Sequence, residues 1–370
     1  MLLFKASQFS ILFEKLKESG YTIIAPTIKD DAIIYDQVAN IDELPIGVTD
    51  EQDKGMYRLK KRDDNAYFGY ALGPYSWKKF LDPPLQKLFS VKREDMSIQD
   101  ETPKAPRYAF LGVRACELFA ISIQDRIFIN DTNINNYYQQ ARENTLIIGV
   151  HCHSAAATCF CPSMDTGPDF KQDYDFLLTE VLEDSNHYFI LQWGSDRAQE
   201  IANTLPFENA PNDSNVKINN QLTQTKNKIK RQLDAPKARQ LLKSKLDSPL
   251  WKKVATDCTS CANCTMVCPT CFCSTVEDVI DLEGNHAQRW KKWDSCFNLD
   301  FSYINGGAVR ETIDSRYRQW LTHKLSTWYD QFDTTGCVGC GRCISWCPVG
   351  IDFTERIKTF NTGEDENEEH

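Results

Sequence analysis

Several absences narrow what this chain can be. No apolar run approaches the eighteen or more residues that a membrane helix needs, so no membrane span is expected. The opening stretch, MLLFKASQFSILFEKLKESG, carries charge too early and too often for the apolar core of a signal peptide. A cytoplasmic, reducing location is therefore expected. Histidine is scarce, with six in the whole chain, and no Ser–His–Asp or Cys–His arrangement can be argued. That leaves little means for general acid–base work, and no catalytic residue is expected. No G-x-G-x-x-G follows a strand and G-x-x-x-x-G-K-[ST] is missing, which removes the dinucleotide fingerprint and the P-loop. A net charge of −10 leaves no broad basic surface for nucleic acid or anionic lipid.

What the chain has is cysteine, fifteen in 370 residues. In a short secreted protein that number would mean a disulfide scaffold. In a long acidic chain it points to metal. Eight of the fifteen fall in two runs of identical spacing, CTSCANCTMVCP (Cys258, Cys261, Cys264, Cys268, then Pro269) and CVGCGRCISWCP (Cys337, Cys340, Cys343, Cys347, then Pro348). C-x2-C-x2-C-x3-C-P is the pattern of cubane iron–sulfur sites, where three thiolates of a run wrap one cluster and the fourth reaches the other. Three thiolates within seven residues converge only if the backbone curls around a small object, and the proline ends that curl. Zinc ribbons offer C-x2-C pairs instead. The expected [4Fe-4S] ligand sets are Cys258, Cys261, Cys264 and Cys347 for one cluster, and Cys337, Cys340, Cys343 and Cys268 for the other.

Along the chain, Phe9, Leu12, Phe13 and Leu16 predict an amphipathic helix ended by Gly20, followed by the strands YTIIAP and AIIYDQV. The stretch GYALGPYSWKKFLDPP reads as loop, with Lys78 and Lys79 as a solvated basic tip. RYAFLGV, ACELFAISIQDRIF and NTLIIGV predict a strand–helix–strand unit with parallel pairing. Residues 174–193 predict a hairpin across Asp184-Ser185-Asn186. The fold class expected is α+β, a mixed α/β domain over 1–205 followed by a mainly α-helical, ferredoxin-like dicluster domain over 236–360. Residues 206–235, rich in Asn, Gln and Lys, are expected to be a hydrophilic linker, partly helical near its end, and 361–370 an acidic disordered tail.

Seven cysteines lie outside the two runs. Cys116 follows one buried strand, and Cys152, Cys159 and Cys161 follow the next, so neighbouring strand ends of a sheet bring four thiols to one edge. They are either a further thiolate site or small buried hydrophobes, since C-x6-C-x-C is no general metal signature. His151 and His153 flank Cys152. Cys271, Cys273 and Cys296 follow or neighbour the first run; they either shield and tune the nearby clusters by packing and S–H contacts or are inert, and since both clusters already have four ligands the inert reading is the plainer one.

Taken together, GVRACELFAISIQDRIF, GVHCHSAAATCFC, SMDTGP, CTSCANCTMVCPTCFC, RWKKWDSC and CVGCGRCISWCP resemble the beta, iron–sulfur subunit of the nickel–iron sulfhydrogenases. They are equally similar to the electron-input subunit of anaerobic sulfite reductase, of the same electron-transfer family. The resemblance runs from about residue 107 to 352. It implies an electron-transfer subunit of an oxidoreductase complex, without a substrate-turnover site of its own. Its partners would be a flavin- and NAD(P)-binding subunit, together with the small and large subunits of a nickel–iron hydrogenase or with a sirohaem sulfite reductase subunit. It also implies a third [4Fe-4S] cluster at Cys116, Cys152, Cys159 and Cys161, which fall on family positions that carry cysteine, as do Cys271, Cys273 and Cys296. A self-contained flavin and iron–sulfur enzyme is the alternative of another class.

Overall fold

A computed structural model of the chain describes residues 1–100, 103–130, 132, 134–183 and 186–362. The acidic tail from 363 onward lies outside the described residues, as do Asp184 and Ser185 of the expected hairpin turn.

The chain builds an eight-stranded mixed sheet in the order Glu208–Asn209, Leu2–Lys5, Asn186–Trp193, Phe176–Glu183, Leu146–Val150, Tyr108–Val113, Thr22–Lys29, Ala32–Gln37. Its centre is parallel: Tyr108–Val113 lies between Thr22–Lys29 and Leu146–Val150, with Ala109 opposite Leu146 and Ile23 opposite Ala109. These strands are apolar without alternation because helices cover both faces. On one face the helix Phe9–Glu18 buries Phe9, Leu12, Phe13 and Leu16 against Ile23, Ala109, Ile148 and Phe189. On the other, Leu118 and Ile121 of the helix Ala115–Phe128 pack on Phe110, Val113 and Trp77. The crossover from Tyr108–Val113 to Leu146–Val150 thus carries the helix foreseen in the sequence, plus a second one at Asn136–Asn144.

Three segments differ from the sequence expectation. The stretch between the two cysteine runs is not mainly helical. Its strands Ser274–Ile280 and His286–Trp293 pair with each other, and His286–Trp293 pairs with Leu85–Lys92, which in turn pairs with Ile98–Asp100. This four-stranded sheet joins residues near 90 to residues near 290. Within 206–235 the chain forms the helix Ser214–Lys228, whose Thr225 hydroxyl donates to the Cys152 carbonyl at 2.7 Å. Lys78 is no solvated tip: it is 4% exposed, donates to the Cys271 carbonyl at 2.9 Å and sits 3.7 Å above the Trp293 ring. Among the described residues no helix is long and apolar enough to cross a membrane.

Candidate metal centre

The two cysteine runs fold alike, and the reason is local. Ser260 and Ala262 in the first run take positive φ values of 56° and 65°; Gly339 and Gly341, at the same places in the second, take 65° and 79°. Two left-handed residues in a five-residue span curl the backbone so that successive cysteines face inward. In each loop the amide two residues beyond the first cysteine donates to its sulfur, Ser260 N to Cys258 Sγ at 3.4 Å and Gly339 N to Cys337 Sγ at 3.5 Å. A single helical turn follows in both, Asn263–Met266 and Arg342–Ser345, and carries the third cysteine.

The loops then exchange their last cysteines. Cys258, Cys261, Cys264 and Cys347, together with Cys343, line one cavity with about 440 Å³ of empty space including its mouth, walled by Phe297, Tyr317, Trp320 and Phe353. Cys337, Cys340, Cys343 and Cys268 lie within electrostatic reach of one another in a second, more buried group. Cys261 is exposed, whereas Cys268 and Cys337 are buried.

Cys116, Cys152, Cys159 and Cys161 also gather, Cys116 hydrogen-bonded to Cys161 and the others close about them. The helix start at Ala115 and the segment after Leu146–Val150 bring them together. This group touches the second. Phe160 N donates to Gly339 O at 2.8 Å, Thr166 Oγ1 to Val338 O at 2.7 Å, and the Cys159 thiol lies 3.9 Å from the Cys340 carbonyl oxygen. The approach is so close that a Cβ on Gly339 would lie 2.6 Å from the Cys161 nitrogen. Of the flanking histidines, His151 is buried and its Nδ1 shares a 2.8 Å hydrogen bond with Thr179.

The donor chemistry fits iron–sulfur clusters. Each group offers four soft thiol donors, and the first opens onto a void with apolar walls. A zinc ion would hold its sulfurs roughly 3.8 Å apart. Among the described residues no group of three or more His, Cys, Asp or Glu side chains is set to hold a single metal ion. Burial pushes the Cys337 thiol up to about 12 and those of Cys340 and Cys152 up to about 11, so a bound metal displaces their protons. Cys268 goes the other way. The hydrogen bond from Cys271, aided by the Lys324 charge and by Thr270, outweighs burial and holds it well below the ordinary thiol range.

The sequence did not single out Lys324, Arg342 or Glu117 as supports of these groups. Lys324, 2% exposed, donates to Cys268 Sγ at 3.1 Å, Cys271 Sγ at 3.4 Å and Gly336 O at 3.1 Å. Burial opposes its charge, but the sulfurs of Cys268, Cys271 and Cys337 hold it well above the usual lysine range. Cys273 and Cys296 hydrogen-bond each other, and Cys296 lies within electrostatic reach of Cys264. Arg342, next to Cys343, forms a wholly buried ion pair with Glu117, next to Cys116. Glu117 also accepts from Tyr35 Oη at 2.7 Å and Trp77 Nε1 at 3.1 Å.

Comparison with known proteins agrees with this geometry. Residues 257–351 match the family described as the 4Fe-4S dicluster domain. The chain is 27% identical over 359 residues to sulfhydrogenase 2 subunit beta of Pyrococcus furiosus, covering 96% of each chain. No solved structure matches it significantly. The chain is thus similar, along nearly its whole length, to a sulfhydrogenase beta subunit, and residues 257–351 are similar to the 4Fe-4S dicluster domain.

Proposed function

We propose that this chain is an iron–sulfur electron-transfer subunit of a soluble, hydrogenase-type complex, linking a flavin- and NAD(P)-binding subunit to a catalytic nickel–iron subunit. The observation that carries the reading is the contiguity of three four-thiol groups, two in the dicluster segment and one at the sheet edge packed against it. Clusters of the [4Fe-4S] type supply one-electron chemistry when bound. The protein's own part is to hold them and wall them off. Cys258, Cys261, Cys264 and Cys347 would hold the first, Cys268, Cys337, Cys340 and Cys343 the second, and Cys116, Cys152, Cys159 and Cys161 a third. Phe297, Tyr317, Trp320 and Phe353 wall the first, whose Cys261 stays exposed, and the loop 158–166 packs against the second. Of the two lineages that share these motifs, the full-length similarity to a sulfhydrogenase subunit favours the hydrogenase side.

The test is Cys261→Ser in the anaerobically purified protein. It should abolish the EPR signal of one C-terminal cluster, leave the rest, and cut electron flow through the complex. Retention of every cluster signal would overturn the ligand assignment. A flavin absorbance band in the isolated chain would instead favour a self-contained flavin enzyme, and zinc in a colourless chain would end the redox reading.

A further inference from the structure

We infer that the chain holds its two C-terminal thiolate groups at unequal potential, and that Lys324 makes the group of Cys268, Cys337, Cys340 and Cys343 the more easily reduced. The inference rests on the electron-relay reading above.

Lys324 stands in a wide turn, His323–Thr327, inserted between the helices Ile313–Thr322 and Trp328–Phe332. Such π turns take up an extra residue and re-aim the side chains on them, and they recur at functional sites. Here the turn directs an ammonium into the core, 3.1 Å from Cys268 Sγ. The Cys271 thiol donates to the same sulfur and Thr270 Oγ1 lies 3.2 Å from it. Lys324 is itself fixed by Gly336 O and Thr270 Oγ1 at 3.1 and 3.3 Å, so it cannot swing away from the sulfur without losing buried partners.

Among the described residues the first group has no cationic donor on a sulfur. Its sulfurs receive backbone amides, Ser260 N on Cys258 and Ile351 N on Cys347 at 3.4 and 3.3 Å. The nearby guanidinium of Arg316 hydrogen-bonds Ser260 Oγ and the carbonyls of Arg310 and Glu311, so its charge reaches Cys258 without a bond to the sulfur. At the second group the Arg342 charge is matched by Glu117, and Lys78 faces the Cys271 carbonyl with Asp82 near. Lys324 is the cation in direct contact with a ligand sulfur. Reduction adds negative charge, and a buried ammonium hydrogen-bonded to a ligand stabilises the reduced form far more than a neutral amide does. The order of reduction therefore puts the resting charge in the group against which Cys159 and Cys161 pack, away from exposed Cys261.

Potentiometric EPR titration of the anaerobic, fully loaded protein tests this. The wild-type chain should show two distinct midpoints for the C-terminal clusters. Lys324→Met should lower the higher one by at least about tenfold in the reduction equilibrium, 59 mV for one electron, and shift the lower one less, since the ammonium also lies within electrostatic reach of Cys264. Lys324→Arg should restore most of the difference. If Lys324→Met fails to load, Cys271→Ala decides by a smaller shift in the same direction. Unmoved midpoints in a loaded variant, or a shift confined to the lower one, overturn the assignment to Lys324. A wild-type chain with no four-iron signal would instead overturn the relay reading itself.

Discussion

Replacing Glu117 by Ala probes how the N-terminal sheet is bolted to the second cysteine run. The Glu117 carboxylate and Arg342 guanidinium are buried to 1% and 0% side-chain exposure and form an ion pair. The same carboxylate accepts hydrogen bonds from Tyr35 and Trp77, while Arg342 donates to the carbonyls of Gly73 and Tyr75 at 2.8 and 3.2 Å. Removing it leaves a buried guanidinium without its counter-charge and two aromatic donors without an acceptor. Breaking one side of such a pair costs about 3–5 kcal/mol. With a urea m-value of about 3 kcal/mol/M, the unfolding midpoint of the loaded protein should fall by about 1–1.7 M. Anaerobic urea titration followed by tryptophan fluorescence reads this directly. Glu117→Leu with Arg342→Met should recover much of the loss, because no unpaired charge then remains. A fall below about 0.3 M for Glu117→Ala, under roughly 1 kcal/mol on the same m-value, would refute the bolt.

Further expectations follow from the same contacts. Gly339→Ala adds a Cβ 2.6 Å from the Cys161 nitrogen at a φ of +65°, and should diminish the signals of both the second and the N-terminal cluster. Gly306→Ala, strained at a φ of +116° but with nothing within 4 Å of its Cβ, should leave all of them intact, as EPR of the two variants will show. Cys159→Ser should keep both C-terminal signals while iron per chain falls by about four. Thr225→Val removes the 2.7 Å bond to the Cys152 carbonyl and should cost about 1 kcal/mol of stability, with urea unfolding as the check.

What the sequence revealed and what it hid divide along the distance between partners. The two cysteine runs were legible because their chemistry is local: spacing, left-handed loop positions and the closing proline all lie within twelve residues. The parallel pairing of Tyr108–Val113 with Leu146–Val150 was legible from unbroken apolar strands around a helical pattern. The gathering of Cys116 with Cys159 and Cys161 followed from neighbouring strand ends, although spacing alone left open what the thiols do. The strand His286–Trp293 was hidden, because HAQRWKKW has no apolar alternation and its partner Leu85–Lys92 lies about 200 positions away. Lys78 read as part of a solvated tip and nothing in the sequence singled out Lys324; only a π turn and a folded loop bring them to the cysteines of the first run and its PTCFC extension. The Glu117–Arg342 pair was hidden for the same reason, since each residue meets its opposite charge only after the two halves have packed.

The central claim is that three four-thiol groups each hold a cubane cluster, and iron with acid-labile sulfide on the anaerobically purified chain tests it most directly. The account predicts about 12 of each per chain. A value near 8 would contradict the N-terminal site and confine the redox chemistry to the dicluster segment, and zinc in place of iron would contradict the account as a whole.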